Sequence, residues 1–378
     1  MFLLERSGTM KTRTRIAIAT ALFAAALWSE VCQAYPGNPN FRNKPVTFLA
    51  KTRTDWVTNA TTMVGSARNP GKSTPLNWAK AQSITNGIDY LPAVLTPEGG
   101  WPRKMVCHFV RVNLGTRNLR FTGSDRCENW GDPMPDDPKH MAKKPDGTFC
   151  TKRTVREKTG DFLARLRGPK SQGGKELNAV LAWNNAAWSP WKPPFTNEWG
   201  DPNGPLYSDG IQVSELATGY GTHGGPKFPN GIFVVYKDGK ADIVPQLTKQ
   251  MVSKVWFSVP AFVAHLVSAG KAPMHADKSI RPRTAIGLSK DKKTLYLLVC
   301  DGDNEKSWTK GCDFPSLSTL LVAMGCYEAF NLDGGGSSNL CIWDYANDCP
   351  AVLGRPGGNW HSTNSQRDNG SNAAIYFK

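Results

Sequence analysis

The sequence has few long hydrophobic runs, and this scarcity limits the classes of protein that it can encode. The longest run, Ile16 to Trp28, is shorter than the roughly 20 residues that a membrane-spanning helix needs. Basic residues precede it, and a small-x-Ala pattern, Cys32 to Ala34, follows it. This order is typical of a secretory signal peptide. We therefore expect residues 1–34 to be removed, leaving a secreted or periplasmic protein with no integral membrane segment.

Metal and nucleotide motifs are also missing. No cysteines or histidines stand at the close C-x2-C type of spacing that zinc sites use. No Lys-Ser or Lys-Thr pair follows a glycine run, as it would in a Walker loop. We expect no cofactor, although loops that contain Asp and Asn side chains would be able to bind Ca2+.

Eight cysteines remain after Cys32, an even number that favours up to four disulfides in an oxidising compartment. Among the possible pairs, Cys127–Cys150 is the preferred local one, because it would close a polar excursion over residues 124–152.

Acidic residues are outnumbered by basic ones. The chain has 46 Lys and Arg against 31 Asp and Glu, a net charge of +15. Such an excess favours attraction to phosphate- or carboxylate-bearing polymers, and it serves solubility equally well. No nucleic-acid-binding motif is present, so nucleic acid is not an expected partner.

Turn-forming residues dominate residues 35–103, which we interpret as an extended N-terminal segment. Residues 104–378 predict one α+β domain whose mixed β-sheet is flanked by helices and stabilised by disulfides. Hydrophobic periodicity predicts strands at 105–114, 118–123 (pairing with the first), 178–185 and 294–302, a hairpin at 231–244, and helices at 159–168 and 315–324. The strand at 294–302, the helix after it and the strand before Asp333 predict a crossover unit with a parallel strand pair.

A carboxylate at the mouth of a glycine run is the most specific local signal. In "AFNLDGGGSSNL", residues 329–340, Asp333 follows an apolar strand and precedes three glycines and two serines. Glycines let a ligand approach the backbone and let N–H groups converge on an anion. From this stretch alone, an anion-binding site and a plain turn capped by Asp333 are equally favoured.

Two other stretches carry candidate ligands. "IRPRTAIGLS", residues 280–289, offers the planar fork of Arg283, which suits phosphate, and Thr284 beside it. The following strand ends at Asp301. A tryptophan-rich stretch over 182–210 places aromatic rings near Asn and Asp side chains, a composition that suits a sugar, although at least two of its four tryptophans are expected in the core.

Together these stretches resemble the phosphodiester glycosidase family, whose bacterial relatives are exported. The family reads N-L-D-G-G-G-S-S, matched at 331–338, and P-R-T-A-I/V-G, matched at 282–287, followed by a strand ending in D-G. The resemblance covers about 104–378. It departs after Asn184, where the family's glycines are absent, and near Arg367, where the segment is one residue longer.

The resemblance implies hydrolysis of the bond between a sugar's anomeric carbon and a phosphodiester oxygen, with a phosphorylated glycan or small sugar-1-phosphodiester as substrate. Asp333 would be nucleophile or base, and Asp301 the second carboxylate to test. Arg283 is the third implied catalytic residue and would hold the phosphate as its charge grows. The other implied site residues would bind substrate: phosphate at Gly334, Gly335, Gly336, Ser337 and Ser338, sugar hydroxyls at Asn184 and Asp209, and substrate at Thr284.

Two other functions stay open. The domain would be a non-catalytic binder of phosphorylated surface glycans if it holds a phosphosugar without turnover. It would be another phosphoesterase if it breaks the P–O bond rather than the C–O bond.

Overall fold

The computed structural model of the chain describes residues 75–97, 100–136, 147–190, 197–215, 231–302, 309–358 and 366–378. The predicted signal peptide lies outside these ranges. The described chain forms twenty strands: β1 (Gln82–Thr85), β2 (Ile88–Leu95), β3 (Met105–Asn113), β4 (Leu119–Gly123), β5 (Thr154–Val155), β6 (Asn178–Asn184), β7 (Trp188–Ser189), β8 (Trp199–Pro202), β9 (Tyr207–Ser208), β10 (Ile211–Gln212), β11 (Ile232–Tyr236), β12 (Ala241–Val244), β13 (Val255–Pro260), β14 (His265–Val267), β15 (Arg283–Leu288), β16 (Thr294–Cys300), β17 (Glu328–Asn331), β18 (Leu340–Asp344), β19 (Cys349–Leu353) and β20 (Asn372–Phe377).

Helices are few in the same residues. They are α1 (Thr159–Arg167), α2 (Lys249–Val252) and α3 (Phe314–Met324), with short 3-10 turns at Trp78–Lys80, Lys170–Gln172 and Gly335–Ser337. The fold is therefore mostly β, and the prediction of an α+β domain flanked by helices overstated the helical part.

Helix α3 begins and ends where its sequence predicts. The Asp313 side chain accepts the Ser316 N–H at 2.9 Å, which caps the first turn. Gly325 ends the helix with φ of +106°, a left-handed conformation that favours glycine. The predictions for α1, β3, β6, β16 and the β11–β12 hairpin are confirmed as well.

The strands form four sheets. The largest has seven strands in the order β1-β2-β3-β16-β15-β17-β14. Two five-stranded sheets have the orders β10-β9-β13-β11-β12 and β19-β18-β6-β20-β4, and a small sheet has the order β5-β8-β7. Strands β1 and β2 come from the N-terminal segment, so its described part is built into the largest sheet.

The predicted parallel pair does not form. Strands β16 and β17 run in the same direction, but β15 lies between them and pairs antiparallel with both. Every strand pair in the described residues is antiparallel, so the prediction of a mixed sheet is wrong. The predicted pairing of β4 with β3 is also wrong, because β4 pairs with β20. Local patterns specify strands, whereas strand pairing depends on residues distant in the chain, and β4 and β20 are more than two hundred positions apart.

The largest sheet separates two hydrophobic clusters. Alternate side chains of β16 face opposite sides: Leu297 joins the cluster shared with the five-stranded sheets, and Leu298 joins the cluster under α3. Leu317 and Leu320 of α3 are completely buried in this second cluster. Truncating such a leucine to alanine typically costs about 2–5 kcal/mol. This packing fixes the positions of the strand ends that carry the candidate site.

No disulfide joins the described cysteines, so the prediction of a disulfide-bonded domain, with Cys127–Cys150 as its preferred pair, is wrong for this structure. The Sγ atoms of Cys107 and Cys300, which face each other across β3 and β16, are 3.4 Å apart. A disulfide requires about 2.05 Å. Burial raises the pKa of the Cys107 thiol, which disfavours the reactive thiolate.

Candidate active site

The glycine-rich loop joins two different sheets. Strand β17 ends at Asn331 in the seven-stranded sheet, and β18 begins at Leu340 in the sheet that contains β6. Between them, Gly335–Ser337 form a single 3-10 turn. Extended strands therefore fix the loop at both ends, and Asp333 stands just beyond the first of them.

Asn184, the last residue of β6, fastens both ends of this loop. Its Nδ2 donates to the Asp333 carbonyl at 2.8 Å, and its Oδ1 accepts the Asn339 N–H at 3.0 Å. The Thr284 hydroxyl donates to the same Oδ1 at 2.7 Å. Asn184 and Thr284 are completely buried. The structure thus places these two predicted substrate ligands beneath the loop, where they hold its shape.

Each glycine of the loop has its own reason to lack a side chain. A Cβ at Gly334 would lie 3.1 Å from a neighbouring backbone carbonyl oxygen. Gly335 has φ of +62°, and a Cβ there would meet only open space. A Cβ at Gly336 would overlap the Gly358 carbonyl and the Arg367 guanidinium. Gly334 and Gly336 therefore permit close packing within the protein, and Gly335 supplies a left-handed turn beside open space.

Two of the loop amides expected to hold an anion are used inside the protein. The Gly334 N–H donates to Asp333 Oδ1 at 2.9 Å. The Gly335 N–H donates to the Pro282 carbonyl at 2.9 Å. The second bond ties the loop to the residue that precedes Arg283. A phosphate at this loop would therefore rely more on side chains than on these two amides.

The Asp333 residue is half-buried. Burial raises its pKa to about 6, and this effect outweighs hydrogen bonds from Ser337 and Trp188 and the positive charge of Arg367, which lower it. Loss of water disfavours the charged form of a carboxyl and so raises its pKa. At neutral pH the group is mostly ionised, yet its pKa is near enough to allow proton uptake.

Arg367 is the cation that faces Asp333. Its Nη1 donates to Ser337 Oγ at 3.4 Å, and its Nη2 donates to the Gly358 carbonyl at 3.1 Å. The residue is only 9% exposed. The sequence alone does not assign Arg367 to the site, because its segment departs in length from the family pattern.

Arg283 approaches the loop from another side. Its Nη2 donates to the backbone and hydroxyl oxygens of Ser279, both at 3.0 Å, and its Cζ lies 4.0 Å from the centre of the Phe314 ring. Its buried Nε has no hydrogen-bond partner among the described residues. The stem passes Gly334, whose ideal Cβ would lie 3.9 Å from Arg283 Cδ. Arg283 is thus near the loop, with one N–H group not yet used.

Asp301 belongs to a buried chain of hydrogen bonds. Its Oδ1 lies 3.0 Å from His108 Nε2, and His108 Nδ1 lies 2.8 Å from the Tyr90 hydroxyl. Its Oδ2 accepts the Arg355 N–H at 2.9 Å. Both carboxyl oxygens are engaged and the residue is 4% exposed. Asp301 is therefore arranged to position its neighbours.

The segment 354–358, called here the strap, links Asp301 to the glycine loop. At its start, a Cβ at Gly354 would overlap Asp301 and His108. At its end, the Gly358 carbonyl accepts from Arg367 and packs against Gly336. The position of Arg367 thus depends on the strap, and the strap depends on Asp301.

Asp209 lies in a different cluster. Its Oδ2 accepts from the Thr122 hydroxyl and from Lys175 Nζ, each at 2.8 Å. Lys175 also contacts Asp125 at 2.6 Å. No hydrogen bond in the described residues joins Asp209 to the glycine loop, so the structure does not bring it together with Asp333.

Several buried polar atoms near the loop have no hydrogen-bond partner among the described residues. They include both side-chain atoms of Asn185 and the hydroxyls of Ser338 and Ser371. The Asp333 N–H donates to the Asn185 carbonyl at 3.1 Å, and the Asn185 N–H donates to the Ser371 carbonyl at 3.0 Å. A buried polar group left unpaired costs about 1–3 kcal/mol. These unpaired polar atoms are buried, so they lower the stability of the region around the loop in this structure.

The tryptophans of the 182–210 stretch divide as expected. Trp183 is completely buried, and Trp188 is 3% exposed, so at least two of the four lie in the core. The Trp188 ring packs under the Arg156 guanidinium at 4.4 Å, and its side chain hydrogen-bonds to Asp333. Trp191 lies outside the described residues. Trp188 therefore supports the carboxylate and does not present a free stacking face.

Two negative findings concern the described residues only. They contain no group of three or more His, Cys, Asp or Glu side chains arranged to hold a metal ion. Among the same residues, every helix is too short or too polar to cross a membrane.

Comparison with known proteins places this geometry in context. The model of the phosphodiester glycosidase family matches residues 181–374, slightly more than half of the chain. The SPbeta prophage-derived protein YomE of Bacillus subtilis (strain 168) is 27% identical over 171 residues, which cover 44% of this chain and only 25% of YomE. The match thus spans about a quarter of that relative's length.

Two solved structures are similar in fold. One is the zebrafish N-acetylglucosamine-1-phosphodiester alpha-N-acetylglucosaminidase catalytic domain, auto-inhibited by pro-peptide. Its TM-score is 0.48 at 17% identity, over 79% of this chain and 87% of that chain. The other is a hypothetical protein from Synechocystis, with a TM-score of 0.42 at 11% identity, over 79% of this chain and 64% of that one.

Proposed function

Because the chain belongs to the phosphodiester glycosidase family, we propose that it hydrolyses a sugar-1-phosphodiester at the anomeric C–O bond. The products would be the free sugar and a phosphomonoester. The substrate would be a phosphorylated glycan or a small sugar-1-phosphodiester, met outside the cytoplasm, in keeping with the signal-like N-terminus.

One observation carries this proposal. At the glycine loop, burial raises the pKa of the Asp333 carboxyl to about 6, the positive charge of the buried Arg367 acts on this carboxyl, and Gly335 borders open space. The carboxylate suits an electron-poor anomeric carbon, and the cation suits the phosphate that leaves. The two charges required by the reaction thus act on each other at this loop.

The chemistry of the leaving group explains why one free carboxylate is enough. Ordinary glycosidases use two carboxyl groups because the departing oxygen must be protonated. A phosphate has a second pKa of about 6, so it leaves with little help from a proton donor. Asp333 would remove a proton from the water that attacks the anomeric carbon, or attack that carbon itself, as the C–O bond breaks and its electron pair goes to the phosphate. In the second route, water then cleaves the bond between Asp333 and the sugar, which releases the free sugar and restores the carboxylate.

The phosphate would be held mainly by side chains. Arg367 and the hydroxyls of Ser337 and Ser338 lie on the loop side, and the unused Nε of Arg283 adds a further donor. An arginine N–H bonded to a phosphate oxygen is a strong, charge-assisted hydrogen bond. These contacts would strengthen as negative charge grows on the departing oxygen.

The side chains of Asn185 and Ser371 are buried, so they would contact the sugar only when the loop opens locally. The Asn185 amide offers two donor hydrogens and an acceptor oxygen, which match a pair of sugar hydroxyls. Ser371 adds another hydroxyl. In this proposal Asn184 and Thr284 support the loop, and Asp301 positions the strap.

The experiment is a screen of sugar-1-phosphodiesters with the purified protein. Asp333→Asn should abolish sugar release while the circular dichroism spectrum and Tm stay near those of the wild type. Asp132→Asn, at an exposed position, serves as the matched carboxylate control and should keep full activity. Binding of these compounds without turnover by the wild type would favour the non-catalytic alternative.

A further inference from the structure

A second groove lies at the end of the largest sheet opposite to Asp301. It is lined by the β3–β4 connection (114–118), the β11–β12 turn (237–240) and the β15–β16 turn (291–293), and its volume is about 810 Å³. The β15–β16 turn precedes β16, whereas Asp301 follows it. Seven residues of strand at about 3.3 Å each separate the two ends by roughly 23 Å. The groove is therefore distinct from the candidate active site.

Positive charge dominates the rim of this groove. Seven Lys or Arg residues line it, against two Asp residues. Two of these cations are paired with acids: Lys240 with Asp238 at 3.2 Å, and Lys292 with Asp242 at 2.7 Å. Arg117, Lys237 and Lys293 lie in exposed turns around the rim, and Lys237 Nζ also donates to the Ser253 carbonyl at 2.7 Å. Three turns from separate parts of the chain thus contribute positive charge to one concave surface.

The floor of the groove is apolar and aromatic. Leu119 and Phe121 are buried beneath it, and the half-buried Trp256 forms part of its wall. The Trp256 Nε1 donates to the Phe121 carbonyl at 2.8 Å, which fixes the orientation of the indole. Lys378 Nζ lies 5.9 Å from the same ring. A fixed indole beside exposed cations offers an apolar surface and charge in one place.

This combination selects one class of ligand. A phosphate attracts the rim cations, and a sugar ring has an apolar face that packs on an aromatic side chain. A polymer that carries both groups would engage rim and floor together. The overall charge of +15 would draw such an anion toward the protein from a distance.

We propose that this groove is a second, non-catalytic binding site for a phosphate-bearing glycan polymer. It would keep the polymer on the protein while other parts of the same chain reach the candidate active site. The binding does not depend on hydrolysis, so a failure here would leave the proposed activity standing.

The test uses phosphomannan as the probe and isothermal titration calorimetry as the measurement. The parent protein carries Asp333→Asn, which prevents turnover. The groove variant carries the same change together with Arg117→Gln, Lys237→Gln and Lys293→Gln, and its binding is compared with that of the parent. We expect the groove variant to bind at least tenfold more weakly. A matched variant with Lys80→Gln, Lys170→Gln and Lys271→Gln removes the same charge at exposed positions elsewhere and should bind nearly as the parent does.

Two further arms separate the proposal from its competitors. Enzymatically dephosphorylated mannan should bind far more weakly than phosphomannan, and added salt should weaken phosphomannan binding because it screens exposed charges. When Asp333 is retained, both triple variants should hydrolyse a small sugar-1-phosphodiester at the wild-type rate.

Four results would overturn the proposal. They are unchanged binding by the groove variant, an equal loss in both triple variants, equal binding of dephosphorylated mannan, and tighter binding of a single-stranded oligonucleotide than of phosphomannan.

Discussion

The guanidinium of Arg367 fills the space that a side chain at position 336 would need. The same guanidinium donates to Ser337 Oγ and lowers the pKa of Asp333, which burial has raised. One contact between a glycine and an arginine thus connects the shape of the loop with the charge of its carboxylate.

Gly336→Ala should displace Arg367 and lower kcat/KM by about a hundredfold, the usual loss when a charge-stabilising donor is misplaced. Gly239→Ala is the matched control, because Gly239 lies in the distant β11–β12 turn with nothing within 4 Å of an added Cβ. Its φ of +86° makes alanine strained, so it should lose about 1 kcal/mol of stability and no activity. Equal activity of the Gly336→Ala and Gly239→Ala variants would show that the lack of a side chain at Gly336 is not needed for catalysis.

Arg367→Lys should lower kcat more than Arg283→Lys does. The charge of Arg367 acts on Asp333 and lowers its pKa, whereas Arg283 adds its unpaired Nε–H beside the loop and should mainly raise KM. Steady-state kinetics on one sugar-1-phosphodiester measures both effects. A larger loss of kcat from the Arg283 variant would reverse these assignments.

Activity should fall as the pH drops through about 6. Below that value Asp333 is protonated in the folded enzyme and loses its nucleophilic or basic character. The pH profile of kcat/KM on the free enzyme measures this midpoint. A flat profile between pH 5 and 7 would show that Asp333 does not control the rate.

The same pKa has a consequence for stability. An unfolded aspartate has a pKa near 3.9, so between about pH 4 and 6 the folded state holds the Asp333 proton more tightly. The contribution of Asp333 to the free energy of unfolding of the wild type therefore declines as the pH rises from about 4 to 6. Asp333→Asn should gain free energy of unfolding relative to wild type from pH 4 to 6, with no further gain above 6. Asp161, whose pKa burial also raises to about 6, is present in both proteins and cancels. Urea denaturation at several pH values tests this, and a constant difference would contradict it.

Asp301→Asn should reduce kcat by about tenfold without moving the pH midpoint near 6. Its effect passes through the Arg355 N–H and the strap, while Asp333 still titrates. Tyr90→Phe removes the far end of the same chain and should cost about 1 kcal/mol of stability with a smaller loss of activity. A shifted midpoint in the Asp301 variant would mean that Asp301 itself exchanges the catalytic proton.

Local signals in the sequence were enough to locate the loop and the elements around it. Asp313 and Gly325 define α3 because caps act on their own first and last turns. The run from Asp333 to Ser338 is a loop because its glycines remove the steric limits on the backbone. Such features involve neighbouring residues, so a single sequence reveals them.

Which side chains meet at the loop is a long-range matter. The sequence assigns phosphate to Arg283 and gives Arg367 no role, because the approach of Arg367 to the loop depends on the packing of the strap. Asn184 carries the family's asparagine, yet its amide is consumed in holding the loop. His108 gave no local signal, because its bond to Asp301 depends on the pairing of β3 with β16. Pairing across hundreds of residues decides these contacts.

Hydrolysis of a sugar-1-phosphodiester in 18O-labelled water tests the central claim most directly. Mass spectrometry of the products shows which bond has broken. If Asp333 acts at the anomeric carbon, the label appears in the sugar and the phosphomonoester stays unlabelled. Label in the phosphate would mean P–O cleavage and would contradict the account.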